Sequence, residues 1–273
     1  MAILSDIILY PIKSCAGIHL REAVLTRSGL MSEHVFDREW MVVDAQGRFL
    51  TQREYPRMAL IVARIKATTL ELRAPGMLRL EIELGLPHPQ HAPLLDVQVW
   101  DDTVRAYDCD EVTATWFSQA IGVPCRLVRF HPDVVRATSS KWTAGIAAST
   151  MFADGYPVLI AGSASLADVN DKLRAAGREA LPMNRFRPNL VIGEIGAFEE
   201  DYAEFLQLGA TTLKPVKPCS RCPIPSVDQA TGVPGPDPRI ASLEAENQAL
   251  RARMAFLLEQ VERNHDIMCR HQA

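Results

Sequence analysis

The first hundred residues constrain the fold more than any other part of the chain. They hold a close succession of short β-branched and aromatic runs, separated by turn signals, with no long amphipathic stretch between them. Ile7 to Tyr10, Ala23 to Thr26 and Trp40 to Val43 read as strands. Asp44-Ala45-Gln46-Gly47 reads as a hairpin turn into Arg48 to Thr51. Leu60 to Ile65 is apolar enough for a buried strand. Leu70 to Arg73 and Leu78 to Leu84 alternate as half-solvated strands do, and Val97 to Trp100 matches Val104 to Tyr107 across Asp101-Asp102. Helices enter late. Asp110 is placed to cap one running to about Ile121, and Leu166, Val169 and Leu173 mark another over Ser163 to Ala176. Val134 to Ala148 is polar and irregular, a surface loop and candidate lid. Strands return at Val158 to Ala161, Leu190 to Ile192 and Leu213 to Val216. This order predicts an α+β fold, mainly β and barrel-centred, rather than a βαβ sheet.

With 273 residues, 48% of them hydrophobic, the chain can bury the core of one large domain or two modest ones. A formal net charge of -4 argues against a general nucleic-acid surface. The N-terminus, MAILSDIILYPIKSC, lacks the basic and apolar regions of an export signal, and no run approaches the ~20 apolar residues of a membrane span. The expected location is therefore the cytoplasm, with neither membrane nor nucleic acid as partner. In that compartment the six cysteines are not expected to form a disulfide framework.

The chain changes character near its end. Residues 223–238 hold five of the 18 prolines and read as a linker. Beyond them Ile240, Leu243, Asn247, Leu250, Met254, Leu257, Val261, Asn264 and Met268 fall on heptad a and d positions. They predict a coiled-coil helix over 239–270 and a homodimer contact through residues 240–268, with an amphipathic helix packed on its own domain as the competing reading.

The sharpest chemical motif is Pro218-Cys219-Ser220-Arg221-Cys222-Pro223. Its two soft sulfur donors could form half of a zinc site, but no second pair completes four-coordination. A thioredoxin-like redox pair would require βαβ surroundings. Arg221 would favour the Cys222 thiolate. On the motif alone, functional and structural readings are balanced. A second signal is cationic: Lys13, Arg38, Arg185 and Arg187. Each alone reads as a solvated charge. Arginine with asparagine and backbone N–H donors is also what a phosphate or pterin edge requires.

Several blocks occur in a telling order: Tyr10-Pro11-Ile12-Lys13-Ser14-Cys15, Asp37-Arg38-Glu39-Trp40, Leu50-Thr51-Gln52-Arg53, Asp154-Gly155-Tyr156-Pro157, Ala164-Ser165-Leu166, Phe186-Arg187-Pro188-Asn189, and Pro218 to Cys222 with Val227-Asp228. With these blocks, which span residues 1 to about 236, the chain resembles the MOSC-domain family with its N-terminal β-barrel domain. That family includes amidoxime-reducing molybdenum enzymes and the C-terminal domain of molybdenum-cofactor sulfurase. The resemblance implies a MOSC N-terminal β-barrel domain over residues 1–120 and a MOSC domain over 121–236. It also implies a molybdenum cofactor (Mo-molybdopterin), with Cys222 as metal ligand and catalytic residue and Cys219 as a recurrent neighbour that does not ligate. Lys13, Ser14, Arg38 and Arg187 align with residues that hold the cofactor's phosphate and pterin. Asp154, Ser163, Ser165 and Asn189 fall on pocket segments, although Asp154 also reads as a turn residue and Asn189 as a strand-edge hydrogen-bonding residue. Cys15, Cys109 and Cys125 read as core thiols. At the level of the whole family, pyridoxal phosphate binding is also implied.

The implied reaction is two-electron N–O cleavage of a small N-hydroxylated substrate. Its electrons would come from an external iron–sulfur or flavin protein, since the chain has no ferredoxin-like cysteine run. The alternatives are a module that binds the cofactor without catalysis, a carrier of cofactor or sulfur, and an inactive truncated or fused product. Family members continue past the cysteine motif into strands that close the MOSC barrel. Here Gly235-Pro236-Asp237-Pro238 passes directly into the heptads, so those strands are expected to be missing and the open edge to be covered by the helix or by a dimer partner.

Overall fold

The computed structural model describes residues 2–85, 93–143, 145–146, 148–219 and 222–238. The heptad segment 240–268, Ser220 and Arg221 lie outside them. Eleven strands come first: β1 (Ile3–Leu9), β2 (Ile18–Leu20), β3 (Val24–Thr26), β4 (Gly29–Ser32), β5 (Val35–Phe36), β6 (Trp40–Val43), β7 (Val62–Ile65), β8 (Thr69–Arg73), β9 (Leu80–Glu83), β10 (Leu94–Val99) and β11 (Asp102–Asp108). Helix α1 (Glu111–Ile121) follows, then β12 (Arg126–Phe130), β13 (Arg136–Ala137), the single turn α2 (Ser140–Thr143) and β14 (Ser149–Thr150). The chain continues through β15 (Ile160–Gly162), α3 (Ser163–Ala175), β16 (Leu190–Gly193), β17 (Leu206–Leu208) and β18 (Thr211–Leu213). The fold is α+β and mainly β. No helix among the described residues is long and apolar enough to cross a membrane.

Two four-stranded sheets organise the molecule, in the orders β10-β11-β12-β6 and β15-β16-β1-β2. The first sheet shows why β6 is apolar at every position. Alternate residues point to opposite faces. Trp40 and Val42 enter one core with Leu9, Met58, Leu70 and Phe117, while Met41 and Val43 enter a second with Val97, Val128 and Phe152. β6 thus divides two apolar layers, so neither of its faces can be polar. Helix α1 forms where its caps predict. The Asp110 carboxylate accepts the Thr113 N–H at 2.6 Å, and Gly122 ends the helix at a φ of 93°. Its buried side packs Trp116, Phe117 and Ala120 into the first core.

Three segments differ from the sequence reading. The preference against βαβ fails locally, because β15, α3 and β16 form one such unit whose two strands pair in parallel. Val134 to Ala148 is not a free loop. It contains β13, paired with β14, and Arg136 is buried, donating to the Met151 carbonyl at 2.9 Å and to Asp102 at 2.6 Å. The late strand ends at Leu213 and pairs with β17, which no local pattern marks, and Pro215 cannot donate to a continuing ladder. β12 pairs with both β6 and β11.

Candidate functional site

Three chain segments meet where β1 ends and where β6 and β16 begin. The stretch after β1 is laced to the stretch before β6: the Arg38 N–H donates to the Tyr10 carbonyl at 2.6 Å, Trp40 to Pro11 at 3.0 Å, and Lys13 to Trp40 at 2.8 Å. The third segment joins through Asn189, whose backbone carbonyl accepts the Ile8 N–H at 2.8 Å. These backbone bonds between distant segments place Lys13, Ser14, Arg38, Arg187 and Asn189 around one point.

Asp37 lies at its centre. One carboxylate oxygen accepts the Tyr10 N–H at 2.9 Å and the Asn189 side-chain amide at 2.8 Å, and the other accepts from Arg38. Burial pushes this carboxyl above the ordinary aspartate range, against the pull of Arg38. Asn189 also donates to the Ile8 carbonyl at 3.1 Å and accepts from Arg38 at 3.0 Å and from the Leu159 N–H at 3.1 Å. All four of its hydrogen-bonding positions are used within the protein. It positions Arg38 and leaves no donor for a ligand.

The cations are held differently. The guanidinium groups of Arg38 and Arg187 lie 4.4 and 4.3 Å from the centre of the Tyr10 ring. Arg187 is buried, one nitrogen reaches Gln229 at 3.4 Å, and its Nη2 has no partner. Gln229 in turn donates to Gln52, a fully buried side chain whose own Nε2 is also without a partner. Two orphaned N–H groups linked through one glutamine call for an acceptor that the described residues do not supply. Ser14, Arg38 and Arg187 all have positive φ, at 67°, 52° and 56°. Such conformations are costly for side-chain-bearing residues and collect at functional sites.

Lys13 is buried, donates to the Phe152 carbonyl at 2.8 Å and pairs with Asp154. Burial brings its pKa down to about 8, despite Asp154. Asp154 sits half-exposed at the rim. Burial raises its pKa, but Lys13, the Trp100 indole at 3.1 Å and Arg53 at 3.5 Å more than offset this and hold the carboxyl well below its usual range. It is a charge partner, which is more than the turn residue its neighbours suggest. Lys13 is charged below about pH 8 and neutral above it. Binding of inorganic pyrophosphate, followed by calorimetry from pH 7 to 9, is expected to weaken as pH rises, and Lys13→Met should flatten that profile. A pH-independent wild-type affinity would remove Lys13 from the anion site. The lowered pKa also means that the unfolded chain holds this proton at pH values where the folded chain has lost it. Lys13 therefore adds stability as pH rises from about 8 toward the ordinary lysine range.

Cys222 lies at a second locus. It is half-buried and lines a cavity of about 460 Å³ with Ser165, Leu166, Val169, Phe198 and Glu200. The Ser165 hydroxyl donates to Glu200 at 2.6 Å and accepts the Phe198 N–H at 2.8 Å, while Glu200 also accepts the Gly162 N–H at 2.7 Å. Ser165 thus belongs to the cavity and not to the cation cluster, and Ser163 is exposed at the start of α3. Phe186 lines the cavity and Arg187 enters the cluster, so adjacent residues join the two loci. Arg185 braces the turn after Cys222 by donating to the Pro225 and Ser226 carbonyls at 3.2 and 3.0 Å and to Asp228 at 2.7 Å. Its role is therefore structural.

Cys219 is exposed, and none of the described cysteines is in a disulfide. Cys15 and Cys125 are buried, and burial raises the pKa of both thiols, that of Cys15 to about 12. Cys109 is held above its ordinary range by burial, with Asp108 adding to the shift. All three fit inert core thiols. Among the described residues no three His, Cys, Asp or Glu side chains come together to hold a metal. A metal at Cys222 would therefore take its remaining ligands from outside this set, and a group that carries its own sulfur donors and a phosphate fits both loci. Sequence reasoning missed Asp37, Gln52, Arg53, Gln229 and Glu200. The first three lie in the quoted blocks, so their motifs were visible although their roles were not. Glu200, inside the acidic run Glu199-Glu200-Asp201, carries no local signal.

Comparison with known proteins gives the family. Residues 1–124 match the MOSC N-terminal beta barrel domain and residues 147–268 match the MOSC domain. The mitochondrial amidoxime-reducing component 1 of Xenopus laevis is 33% identical over 238 residues, covering 85% of this chain and 68% of that protein. The mitochondrial amidoxime reducing component 2 of Homo sapiens is 34% identical over 230 residues, covering 82% and 66%. The molybdenum cofactor sulfurase of Bos taurus is 30% identical over 244 residues, covering 84% of this chain and 27% of that protein. This chain therefore spans about two thirds of the amidoxime-reducing relatives and about a quarter of the sulfurase. The chain belongs to the MOSC-domain family, with a MOSC N-terminal β barrel followed by a MOSC domain.

Proposed function

We propose that this chain binds a molybdenum cofactor and reduces small N-hydroxylated compounds by two-electron N–O cleavage. The observation that carries this reading is the buried guanidinium of Arg187, with an unpartnered Nη2, beside Lys13, Ser14 and Arg38. Lys13, Arg38, Arg187 and the Ser14 hydroxyl would hold an anionic phosphate and pterin, and the Cys222 thiolate would ligate the metal. When bound, the cofactor supplies the two-electron redox chemistry. The protein's own part is binding and exclusion. Asp37 and Asn189 fix Arg38, Asp154 and Arg53 set the charge at the mouth, and the apolar wall around Cys222 keeps water from the reacting end. The reaction takes up two electrons and two protons and gives the amine and water. The electrons come from an external iron–sulfur or flavin protein. In this reading the protein resides in the cytoplasm, whereas the amidoxime-reducing relatives carry mitochondrial names. Pyridoxal phosphate has less support, because Lys13, the lysine of the cluster, is already engaged by Asp154 and the Phe152 carbonyl.

Elemental mass spectrometry on protein purified from cells that make the cofactor should find about one molybdenum per chain. Zinc in its place would overturn the assignment. The match to the sulfurase favours a second reading, a carrier of cofactor or sulfur without turnover. A loaded protein that leaves benzamidoxime unreduced when a chemical reductant is supplied would select it.

A further inference from the structure

Charge is unevenly distributed along this chain. Residues 134–153 contain Arg136 and Lys141 and no carboxylate, and residues 205–227 contain Lys214, Lys217 and Arg221 and no carboxylate, although the net charge of the whole is -4. Three of the six lysines fall in these two stretches. The fold brings the stretches together at Trp142, an exposed residue whose ring centre lies 5.4 Å from Lys141 Nζ and 5.8 Å from Lys217 Nζ. Lys141, Lys214 and Lys217 are exposed, as is Ile146 on the same loop as Trp142. That loop is pinned at its base, where β13 pairs with β14 and the Thr138 N–H donates to the Ala148 carbonyl at 3.0 Å. Lys13, Lys66 and Lys172 each have a carboxylate partner. Among the described residues Lys141, Lys214 and Lys217 form no ion pair. The result is a small cationic surface with an exposed indole at its centre and no counter-charge of its own.

We propose that this surface docks an acidic electron-transfer protein, one whose iron–sulfur or flavin group lies behind a carboxylate-rich face. The proposal rests on the function proposed above, since it names the surface through which the two electrons of N–O cleavage arrive. Position argues for that occupant. Five residues of chain join Lys217 to Cys222, so the patch reaches to within about 18 Å of the proposed metal ligand. Electron-transfer complexes have small interfaces, and opposite charge steers their encounter. An exposed tryptophan is the residue type that most often anchors such a contact. Extent argues against other polyanions. A bilayer or a long nucleic acid would also face the carboxylates that give the chain its net negative charge, whereas a compact partner covers the patch alone.

Carbodiimide cross-linking of the full-length protein to a small acidic [2Fe–2S] ferredoxin, read by peptide mass spectrometry, tests the surface without turnover. Cross-links are expected from Lys141, Lys214 or Lys217 to ferredoxin carboxylates, and should fade as salt is raised from about 50 to 500 mM. The half-exposed Lys66 and Lys172 serve as internal controls. By calorimetry at low salt, the double variant Lys141→Glu/Lys217→Glu should bind ferredoxin at least about tenfold more weakly, and Lys141→Arg/Lys217→Arg nearly as well as wild type. Thermal melting of each variant reports its folding separately. In molybdenum-loaded protein the charge reversal should raise KM for ferredoxin and leave benzamidoxime reduction by a chemical reductant unchanged. Cross-links at the control lysines alone, equal affinity of wild type and the charge-reversed variant, or tighter binding of a DNA oligonucleotide or phosphatidylserine vesicles than of ferredoxin overturns the proposal. Loaded protein that fails to turn over with the chemical reductant would overturn the function proposed above, while cross-linking and calorimetry still decide the docking surface.

Discussion

Cys222→Ala is expected to purify with almost no molybdenum and no reductase activity, and Cys219→Ala to keep most of both. The two cysteines share a motif but not an environment. Cys222 is half-buried on the wall of the cavity, while Cys219 is exposed outside it. Loss of a residue that only supports a metal ligand already costs 10–100-fold in affinity or activity, so loss of the ligand itself should exceed about a hundredfold. The sulfur lies on a cavity wall and not in either apolar core, so both variants should unfold at wild-type temperatures. Metal content and benzamidoxime reduction, measured in parallel, decide the matter. Equal losses in the two variants would point to a metal or disulfide chemistry shared by the pair.

The second large effect is expected at Asp37. Asp37→Ala removes a fully enclosed carboxylate that serves the Tyr10 amide, the Asn189 side chain and Arg38 together. Breaking a buried charge pair from one side strands the partner, and about 3–5 kcal/mol of stability is expected to go with it. That is a large part of the ~5–15 kcal/mol that holds a typical domain. Urea unfolding should show the midpoint falling sharply. Asp154→Asn removes a half-exposed partner and should fall far less, since solvent screens that pair. A loss below about 1 kcal/mol at Asp37 would mean that water reaches the network.

The outline of this fold was legible because its signals are local. β6, α1 and α3 were each marked by an unbroken apolar run, a capping aspartate or helical spacing, and the structure places them within a residue of the reading. The segment from Val134 to Ala148 was misread because its order comes from Arg136, whose partners lie 15 to 34 positions away and leave no periodic trace. The parallel pairing of β15 with β16 was missed for a related reason. One βαβ unit among strand pairs that are otherwise antiparallel in the described sheets does not alter composition. The cationic residues were named through motif resemblance, and their convergence depends on backbone bonds between residues 8–13, 37–40 and 187–189 that no single stretch encodes. Glu200 could not have been found, because its partners, Gly162 at the end of β15 and Ser165 on α3, come to it only through tertiary packing.

β1 lies beside β16, with the Ser5 hydroxyl donating to the Val191 carbonyl across 186 positions of chain. The opening strands β1 and β2 therefore share one sheet with β15 and β16 from the other half of the chain. During synthesis one edge of β1 pairs with nearby β2, but its other edge must wait until residue 193 has left the ribosome, while hairpins such as β7–β8 and β8–β9 close at once from neighbouring sequence. Joining such distant ends costs little more entropy than a loop half as long. The delay is a matter of time and exposure. Lys13 and Arg187 meet only after this closure, so a nascent chain lacks the joined cation cluster. The cluster is thereby confined to finished molecules, and a cut between the two halves would leave fragments that must reassemble before it could form.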